Sequence, residues 1–486
     1  MTVILWLRRD LRLHDNPAVA AAMATGQPVL PVHVRDDEDA GGHAPGGASR
    51  WWLHGSLESL AADFEARGNR LVLRTGPAAQ VLAQLAAEVG ARQVVWTRRY
   101  EPWALVQAAS VRDRLQAAGA SCREGGGGLL HDPAELRTGS GGPYRVFSPF
   151  WRALRERLRL PPEAAAPAHI PPAAKVTSED LTDWGLRPTR PDWAGGLRDA
   201  WRPGEAGAAS QLARFLDDGL SGYRTQRDIP GRDGTSRLSP HLHFGEIGPA
   251  QIWRAVAGRA MADFGDPWGG GAESFLSEIA WREFSQHLLA AFPDLPDKPL
   301  RPEFGAMPWR DAPDELAAWT RGRTGFPIVD AGMRQLWRTG WMHNRVRMIV
   351  ASFLVKDLLI PWQAGEAWFW DTLVDADLAS NAASWQWVAG SGADAAPYFR
   401  VFNPVSQGRK FDPDGAYVRR WVPELAGLSD AFIHEPWAAS PIERAAAGVT
   451  LGLDYPNPIV DHAAARVRAL AALETSRNTA GAESQD

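Results

Sequence analysis

The sequence predicts an N-terminal α/β domain, with a Rossmann-like parallel sheet, joined by a long linker to an all-α domain. The first observation is length, because 486 residues are more than one ordinary hydrophobic core supports. The second is the alternation of strand and helix patterns over residues 1–130, which is typical of a parallel sheet. The third is that apolar residues of 207–474 recur at helical spacing.

Short apolar runs predict the strands of the first domain. They are residues 3–7, 28–34, 70–75 and 93–97. Helical patterns lie between and after them, at 16–24, 50–67, 77–89 and 103–118. The run "EGGGG" at 124–128 predicts a flexible turn. No GxGxxG motif follows the first strand, so a nicotinamide dinucleotide site is not indicated.

The remaining segments follow from composition. Residues 131–206 are predicted to be an interdomain linker, because stretches such as "PPEAAAPAHIPPAAK" are rich in proline, alanine and glycine. Residues 207–474 form the predicted helical domain, with patterns such as "ESFLSEIAWREFSQHLLAAF". The polar residues 475–486 are expected to be a disordered tail.

Composition excludes several classes of protein. The net charge of -5 means that a nucleic-acid partner would need a local basic surface. A single cysteine, Cys122, excludes a disulfide framework and a cysteine-based zinc site, and we expect it to be a buried apolar residue. No metal site is predicted. No apolar run of about 18 residues predicts a membrane span, and no signal peptide is indicated, so a cytoplasmic location is expected.

Thirteen residues, "DADLASNAASWQW" at 375–387, hold an unusual set of side chains. In a continuous helix Asp377, Asn381 and Trp385 would form one stripe, while Trp385 and Trp387 would face different ways, one inward and one toward a cavity. Asp375 is an acid for which Arg347 is the candidate partner. Most of the 23 tryptophans must be core residues, but a few can carry redox chemistry or stack on rings. Helix capping and core packing would also explain this stripe.

Two further helical patterns carry candidate residues. In "FLSEIAWREFSQHL", Glu278, Trp281 and Arg282 share one face, which would also suit an exposed salt-bridging face. In "HNRVRM", Asn344 and Met348 share a face. Arg347 lies close to that face and Arg345 points elsewhere. We expect the Asn344 amide to need buried partners, because its neighbours are apolar.

The turn "DGTSRLSP" precedes a helical stretch and concentrates hydrogen-bond donors. Thr235, Ser236 and Ser239, with Arg237 and the backbone N–H groups of the turn, could hold a pyrophosphate. A capping box or a turn closed by a serine or threonine side chain would explain the same residues. Taken together, the anion-binding turn, the Arg, Asp and Asn set and the tryptophans suggest a buried, phosphate-bearing redox cofactor.

These motifs resemble the DNA photolyase/cryptochrome family. The resemblance begins at "WLRRDLRLHDNPAV" and "SRWWLHGSL" and continues through "GTSRLSPHLHFGE", "FLSEIAWREF" and "TGFPIVDAGMRQLWRTGWMHNRVRM". It ends with "DADLASNAASWQWVAGSGADAAPYFRVFNPVSQGRKFD", so it covers nearly the whole chain. Within the family the chain looks like a bacterial class I cyclobutane pyrimidine dimer photolyase. The family's fold agrees with the predicted one.

The resemblance implies one FAD, bent into a U in the helical domain. It puts Arg347 and Asp375 beside the flavin ring, with Asp377 nearby, and Asn381 at flavin N5. The implied FAD-binding residues are Tyr223, Thr235, Ser236, Arg237, Leu238, Ser239, Phe275, Glu278, Arg282, Asn344, Arg347, Asp375, Asp377 and Asn381.

The implied reaction is light-driven repair of a pyrimidine dimer in DNA by electron transfer from excited, fully reduced FAD. The resemblance makes Glu278 and Asn381 catalytic, and Trp385, Trp362 and Trp309 a chain that reduces the flavin under light. The implied DNA-contacting residues are Arg227, Glu278, Trp281, Asn344, Arg345, Met348, Trp387 and Arg400. Arg409 and Lys410 are further basic candidates.

Departures from subfamily patterns narrow the resemblance. Histidines stand at the positions of Asn344 and Met348 in (6-4) photolyases, so that lesion is not expected. A cryptochrome-like blue-light photoreceptor without repair is the alternative, although Asn381, Trp281 and the short tail favour repair. Folate-binding members carry Asn and Glu where Trp103 and Ala104 stand, so folate is doubtful. The alternatives for the antenna site are a deazaflavin, a second flavin or no chromophore. A monomer is expected.

Overall fold

A computed structural model of the protein describes residues 2–394 and 399–483, with side chains described as far as residue 479. The chain forms two compact units. Unit 1 comprises Met1–Ser221, Ser236–Pro293 and Val374–Ala379, and unit 2 comprises Gly222–Thr235, Asp294–Leu373 and Ser380–Asp486. The predicted domain limits near residues 130, 206 and 474 stay a prediction.

Unit 1 contains the parallel sheet that the sequence predicts. Its strands are β1 (Thr2–Leu7), β2 (Val29–Arg35), β3 (Val72–Thr75), β4 (Ala91–Thr97) and β5 (Ser121–Gly125). All neighbouring strands are parallel, and their order in the sheet is β3-β2-β1-β4-β5. Every residue of β1 is buried, as expected for a central strand covered on both faces. The rings of Trp6 and Trp96 meet edge to face in this core, with centroids 5.7 Å apart.

Strand β5 is not predicted from the sequence. Its residues, "SCREG", contain no apolar run and are half exposed, so periodicity gives no signal. Glu124 and Gly125 belong to this edge strand, and the prediction of a flexible turn is wrong for them. The strand forms because it pairs with β4. Cys122 is only partly buried in β5, and this burial raises the pKa of its thiol.

Helices make up most of the remaining ordered structure. The α-helices are α1 (Pro17–Met23), α2 (Gly47–Glu65), α3 (Ala78–Val89), α4 (Pro102–Ala117), α5 (Phe147–Arg157), α6 (Gly195–Ala200), α7 (Glu205–Arg214), α8 (Tyr223–Gln226), α9 (Ser239–Phe244), α10 (Pro249–Phe264), α11 (Ala272–Ala291), α12 (Pro313–Thr320), α13 (Pro327–Thr339), α14 (Asn344–Ser352), α15 (Trp362–Thr372), α16 (Leu378–Ala389), α17 (Pro404–Phe411), α18 (Ala416–Trp421), α19 (Pro441–Ala446) and α20 (His462–Glu483). Two π-helical turns, Phe215–Gly219 and Phe353–Asp357, extend α7 and α14. After Gly125 the described residues form no further β-strand, which confirms the predicted fold class.

Two segments differ from their prediction. Helix α5 forms inside the predicted linker. Helix α20 continues through the predicted tail to Glu483, so the expected disorder of that tail is wrong as far as this residue; residues 484–486 lie outside the described part. The tail is helical because Ala465, Ala469 and Ala472 bury one stripe at helical spacing. Ser476, fully buried, continues this stripe and donates a hydrogen bond to the Glu303 carbonyl at 2.5 Å. Among the described helices none is both long and apolar enough to cross a membrane.

Candidate functional site

Helix α11 of unit 1 presents the first group of predicted site residues. Glu278, Trp281 and Arg282 are each partly exposed and share a face, as the helical spacing predicts. Arg282 donates from Nη1 to Oε1 of Glu283 at 3.2 Å, and the Glu283 carboxylate is fully buried. Phe275, one turn before Glu278, is 2% exposed and packs on Phe215, with ring centroids 4.4 Å apart. The exposed part of this face therefore combines an acid and a large aromatic ring.

Trp281 does not stand alone on this face. Its ring lies parallel to that of Phe147 at the start of α5, with centroids 3.8 Å apart and planes within 7°. Phe147 is itself buried and also meets Phe284 of α11 edge to face at 5.9 Å. Phe147 was not among the predicted site residues because it lies in the predicted linker, and only a hydrophobic period over 147–154 could have indicated it. The ring of Phe147 fixes the plane of Trp281.

The turn at residues 235–239 has the donor-rich chemistry that the sequence predicts. Ser236 Oγ accepts a hydrogen bond from the Leu238 N–H at 3.4 Å, so the serine-closed turn considered above is present. Arg237 adopts a left-handed backbone conformation with φ of 50°, which is costly for a residue other than glycine. Ser239 is exposed as the first residue of α9. Thr235 and Tyr223 belong to unit 2, where the Tyr223 ring is 6% exposed.

The acids of the "DAD" motif lie in the turn that precedes α16. The helix begins at Leu378, so the expected single stripe is wrong for Asp377, which is not inside the helix. Gln286 of α11 donates to both oxygens of Asp377 at 3.1 and 3.3 Å. Nδ1 of His243 lies 3.9 Å from Asp377 Oδ2, and burial holds the pKa of His243 well below its usual value. Asp375 is 9% exposed.

Asn381 lies in unit 2, one turn into α16. Its side chain is 8% exposed, and Nδ2 donates to the Glu366 carbonyl at 3.2 Å. This bond fixes which way the amide is turned, and no described residue donates to its carbonyl oxygen. Burial, with the charge of Asp297, raises the pKa of the Glu366 carboxyl to about 8. Burial thus favours the neutral form of the Glu366 carboxyl group on α15, the helix whose carbonyl accepts from Asn381.

Trp385 is the innermost of the three tryptophans predicted to form a chain. It is 2% exposed and packs edge to face on Phe369, with centroids 5.0 Å apart, and on Trp319 at 6.3 Å. Gly365 permits this position, because a Cβ there would overlap the Trp385 ring. Trp362 is buried at the start of α15, and Trp309 is partly buried against Phe304, Met307 and Leu359. The contact with Trp319 was not predicted.

Helix α14 carries the "HNRVRM" residues. His343 caps the helix, with Nδ1 accepting the Arg345 N–H at 3.2 Å, and burial lowers the pKa of His343 to about 4. Asn344 is exposed as the first helical residue, so the expectation of a buried amide is wrong.

The basic candidates of unit 2 differ in the hydrogen bonds, ion pairs and ring contacts that their side chains make. Arg345 donates to Asp228 Oδ1 at 2.9 Å and lies 3.7 Å from Met348 Sδ, so the expectation that it points away from Met348 is wrong. The Arg345 side chain is long and flexible, so it reaches Met348, which lies three residues further along the helix. Arg347 Nε donates to the Met342 carbonyl at 2.8 Å. Other contacts are Arg227 over the Tyr223 ring, Arg409 with Glu435 and Lys410 over Phe411.

Trp387 faces a small cavity, as the sequence predicts for one of the two tryptophans. The cavity has a volume of about 30 Å³, enough for one or two water molecules. Trp387 Nε1 donates to the Asp394 carbonyl at 3.1 Å. The lining residues are Ser352, Lys356, Trp387, Val388, Gly390, Phe399, Arg400 and Phe402.

Lys356 is the charged group of this cavity. Its side chain is 4% exposed, Nζ donates to the Arg400 carbonyl at 2.5 Å, and Nζ lies 4.5 Å from the Phe399 ring centroid. Burial, with the nearby charge of Arg400, lowers the pKa of Lys356 to about 7 although Asp357 opposes the shift. The Asp357 carboxylate is bound by His462 at 2.5 Å. The segment that carries Arg400 is therefore held by an ammonium group that titrates near neutral pH.

We expect Lys356→Met to change how stability depends on pH. The unfolded lysine keeps its proton to about pH 10.5 and the folded one only to about 7, so the wild-type free energy of unfolding rises with pH between these values. The variant lacks this rise. The free energy of unfolding of the variant, relative to that of the wild type, should be greatest below pH 7 and should fall by at most about 5 kcal/mol toward pH 10.5. Thermal unfolding from about pH 6 to 10 measures this difference.

Lys298→Met is the control for this experiment, because the Lys298 side chain is 73% exposed. Its difference from the wild type should change little with pH. A flat difference for Lys356→Met as well would show that Lys356 keeps an ordinary pKa.

Several predicted groups join residues of different units, among them Arg347 with Asp375, and these stay predictions. The donor types nevertheless suit the two ends of a flavin dinucleotide. The 235–239 turn offers hydroxyl and N–H groups for a pyrophosphate, while an amide and carboxylates from 375–381 suit the polar edge of a flavin ring. Within residues 2–394 and 399–483 no three His, Cys, Asp or Glu side chains are grouped to hold a metal ion.

Comparison with known proteins identifies the family. Residues 3–171 match the family model of DNA photolyase, and residues 275–475 match that of the FAD binding domain of DNA photolyase. The chain is 53% identical to a deoxyribodipyrimidine photo-lyase of Agrobacterium fabrum over 98% of each protein. The chain belongs to the DNA photolyase family. FAD is therefore its cofactor, as predicted.

Two further photolyase-family members refine this assignment. A solved bacterial class III photolyase from Agrobacterium tumefaciens is 52% identical, with a TM-score of 0.94 and 98% of each chain covered. The predicted class I subtype is thus not confirmed. Cryptochrome-1 of Arabidopsis thaliana is 39% identical over 96% of this chain and 69% of its own length. The higher identity to the photo-lyase favours repair over the photoreceptor alternative.

Proposed function

We propose that this photolyase-family protein repairs cyclobutane pyrimidine dimers in DNA under light, and that it is of the class III type. The observation that carries the proposal is the 53% identity to a deoxyribodipyrimidine photo-lyase over 98% of both proteins. The 52% identity to a solved class III photolyase supports the subtype.

Reduced FAD, when bound, would supply on light absorption the electron that opens the cyclobutane ring, and would take that electron back. The chain's residues bind and orient the lesion. Glu278 hydrogen-bonds the base edges of the dimer from α11. Trp281, held flat by Phe147 at 3.8 Å, gives the dimer an apolar surface. Asn344, Met348 and Trp387 complete the lesion contacts.

Cofactor positioning falls to the residues implied by the family resemblance. Asn381, oriented by its hydrogen bond to the Glu366 carbonyl, would supply an amide to flavin N5. Arg347 and Asp375 would hold the flavin ring, together with Asp377, which accepts hydrogen bonds from Gln286. Trp385, Trp362 and Trp309 pass electrons inward under light. The remaining FAD contacts are Tyr223, Thr235, Ser236, Arg237, Leu238, Ser239, Phe275 and Arg282.

DNA is bound by local basic groups, since the whole chain has a net charge of -5. Arg227, Arg345 and Arg400 contact phosphates beside the lesion. Photolyases are among the enzymes that take their target bases out of the stack, and a distorted dimer unstacks more readily than normal bases. We also propose that the protein acts as a monomer in the cytoplasm.

Membership of the family does not identify a second, antenna chromophore. The α/β part of unit 1 has a pocket of about 310 Å³ lined by Asp39, Trp103, Val106, Gln107 and Ser110. The guanidinium of Arg99 covers one side of the Trp103 ring at 4.5 Å, and Ala104 is fully buried. Buried Ala104 cannot contact a ligand with its side chain, which supports the doubt about a folate bound at that position.

The experiment that tests the proposed function uses the purified holoprotein and an oligonucleotide with one thymine dimer. After photoreduction of the FAD, blue light should restore the two thymines, and a dark control should not. Loss of the dimer is measured by chromatography of the digested oligonucleotide. A photoreducible FAD without repair would contradict the proposal and favour the cryptochrome-like photoreceptor.

A further inference from the structure

A basic helix beside the lesion face of unit 1 has no assigned role. Residues 145–159, "RVFSPFWRALRERLR", carry five arginines against one glutamate, a net charge of +4 in a chain whose total is -5. Helix α5 buries Phe147, Phe150, Ala153 and Leu154 along one stripe. Arg152 and Arg155 are exposed on the side away from this stripe, and Arg157, the last helical residue, and Arg159, just after the helix, are exposed at its end. This is a local basic surface of the kind that the net charge requires for a nucleic-acid partner.

The arginines differ in how their charge is used. Arg155 is paired with Glu273 at 2.8 Å, and its guanidinium lies over the rings of Trp268, at 4.2 Å, and Trp151, at 5.4 Å. Arg152 and Arg157 have no hydrogen bond or ion pair through their side chains with any residue of 2–394 and 399–483. Exposed guanidinium groups without a carboxylate are available to phosphates at no cost of a broken ion pair.

Aromatic rings connect this basic side to Trp281. The ring of Trp281 is parallel to that of Phe147, and the ring of Phe147 is parallel to that of Trp151, with centroids 6.5 Å apart and planes again within 7°. Trp151 then meets Trp268 and Trp253 at 6.2 and 5.9 Å. Trp151 and Trp268 are partly exposed. A row of rings therefore runs from the face that carries Glu278 to the arginines of α5.

Partly exposed rings interleaved with free arginines are the composition that binds an unstacked nucleic-acid strand, through base stacking and phosphate contacts. A protein partner fits less well, because the central part of protein interfaces is depleted in charged residues. We propose that two exposed arginines of α5, Arg152 and the helix-terminal Arg157, together with the neighbouring rings of Trp151 and Trp268, bind the DNA strand that flanks the lesion. The inference rests on the proposed function, since it takes Trp281 to contact the dimer.

The electrostatic test compares Arg152→Glu/Arg157→Glu with the wild-type holoprotein on a long duplex that carries one thymine dimer. Each lost phosphate contact lowers the slope of log affinity against log salt by roughly 0.9, so the double variant should lower it by about 2. Arg70→Glu/Arg114→Glu is the matched control, because both arginines are exposed in unit 1 and the change in net charge is the same. That control should leave the slope close to the wild-type value.

Trp268→Leu tests the stacking part with a single-stranded oligonucleotide that carries the dimer, and should weaken its binding by roughly tenfold. The bound flavin spectrum and thermal unfolding show whether each variant is folded. Arg152→Gln/Arg157→Gln provides a milder variant if the charge reversal fails to fold.

A free thymine-dimer dinucleotide separates the two hypotheses, because it has no flanking strand. The arginine variants of α5 and Trp268→Leu should all repair this dinucleotide at the wild-type rate. If neither Arg152→Glu/Arg157→Glu nor Arg152→Gln/Arg157→Gln changed the slope of log affinity against log salt, the α5 proposal would be overturned, whether or not the surface binds another protein. Failure of the wild type to repair either substrate would overturn the proposed function, and with it the inference about α5.

Discussion

Trp385→Phe should abolish most of the light-driven reduction of the bound FAD, while FAD binding and folding are retained. Phenylalanine keeps an aromatic ring against Phe369 and Trp319 but is much harder to oxidise than indole. Because each 1.36 kcal/mol added to a barrier slows a step about tenfold, we expect photoreduction to fall by at least roughly tenfold. The measurement is the loss of oxidised-flavin absorbance under blue light in the presence of an external reductant.

Two controls make this prediction specific to Trp385. Trp319→Phe changes a ring that packs on Trp385 at 6.3 Å but lies outside the proposed chain, and it should keep most of the photoreduction. Chemical reduction of the Trp385→Phe protein should restore dimer repair, because the repair step itself does not use the tryptophan chain. A Trp385→Phe protein that photoreduces at the wild-type rate, with Trp319→Phe inactive, would move the electron path to Trp319.

Glu278→Ala should lower the repair rate by roughly ten- to a hundredfold, because a hydrogen bond to a charged group contributes about 1.5–3 kcal/mol. Glu278 is the partly exposed acid of α11, whereas Glu283 of the same helix is fully buried and bound by Arg282. Of these two acids, Glu278 is the one that a bound base could reach. The repair rate at saturating and at limiting dimer concentration separates an effect on binding from an effect on the reaction.

Glu278→Gln retains one acceptor and should show a smaller loss than Glu278→Ala. Glu65→Ala, which removes an exposed acid at the end of α2, should leave repair unchanged. Equal repair by the wild type and Glu278→Ala would remove Glu278 from the lesion site and leave Trp281 as the contact from that face.

Much of the fold could be predicted from periodicity alone. The four apolar strands of the sheet were predicted because each forms a continuous buried run. Strand β5 and the end of α20 could not be predicted in this way. The edge strand "SCREG" is ordered by backbone pairing with β4, and the last turns of α20 by burial of small residues such as Ala472 and Ser476. Neither effect leaves a strong local pattern of large apolar residues.

The sequence by itself determined the family, the cofactor and the helix faces that carry Glu278, Trp281 and Trp385, because long motifs and helical spacing are local properties. Only the tertiary structure decided which residues pack against these side chains or hydrogen-bond to their neighbours. Phe147 comes from the predicted linker and stacks on Trp281, the Glu366 carbonyl orients the Asn381 amide, and Lys356 holds the Arg400 segment. These partners are 15 to 134 residues apart in the chain. Packing between such distant segments depends on the whole fold, and no local spacing encodes it.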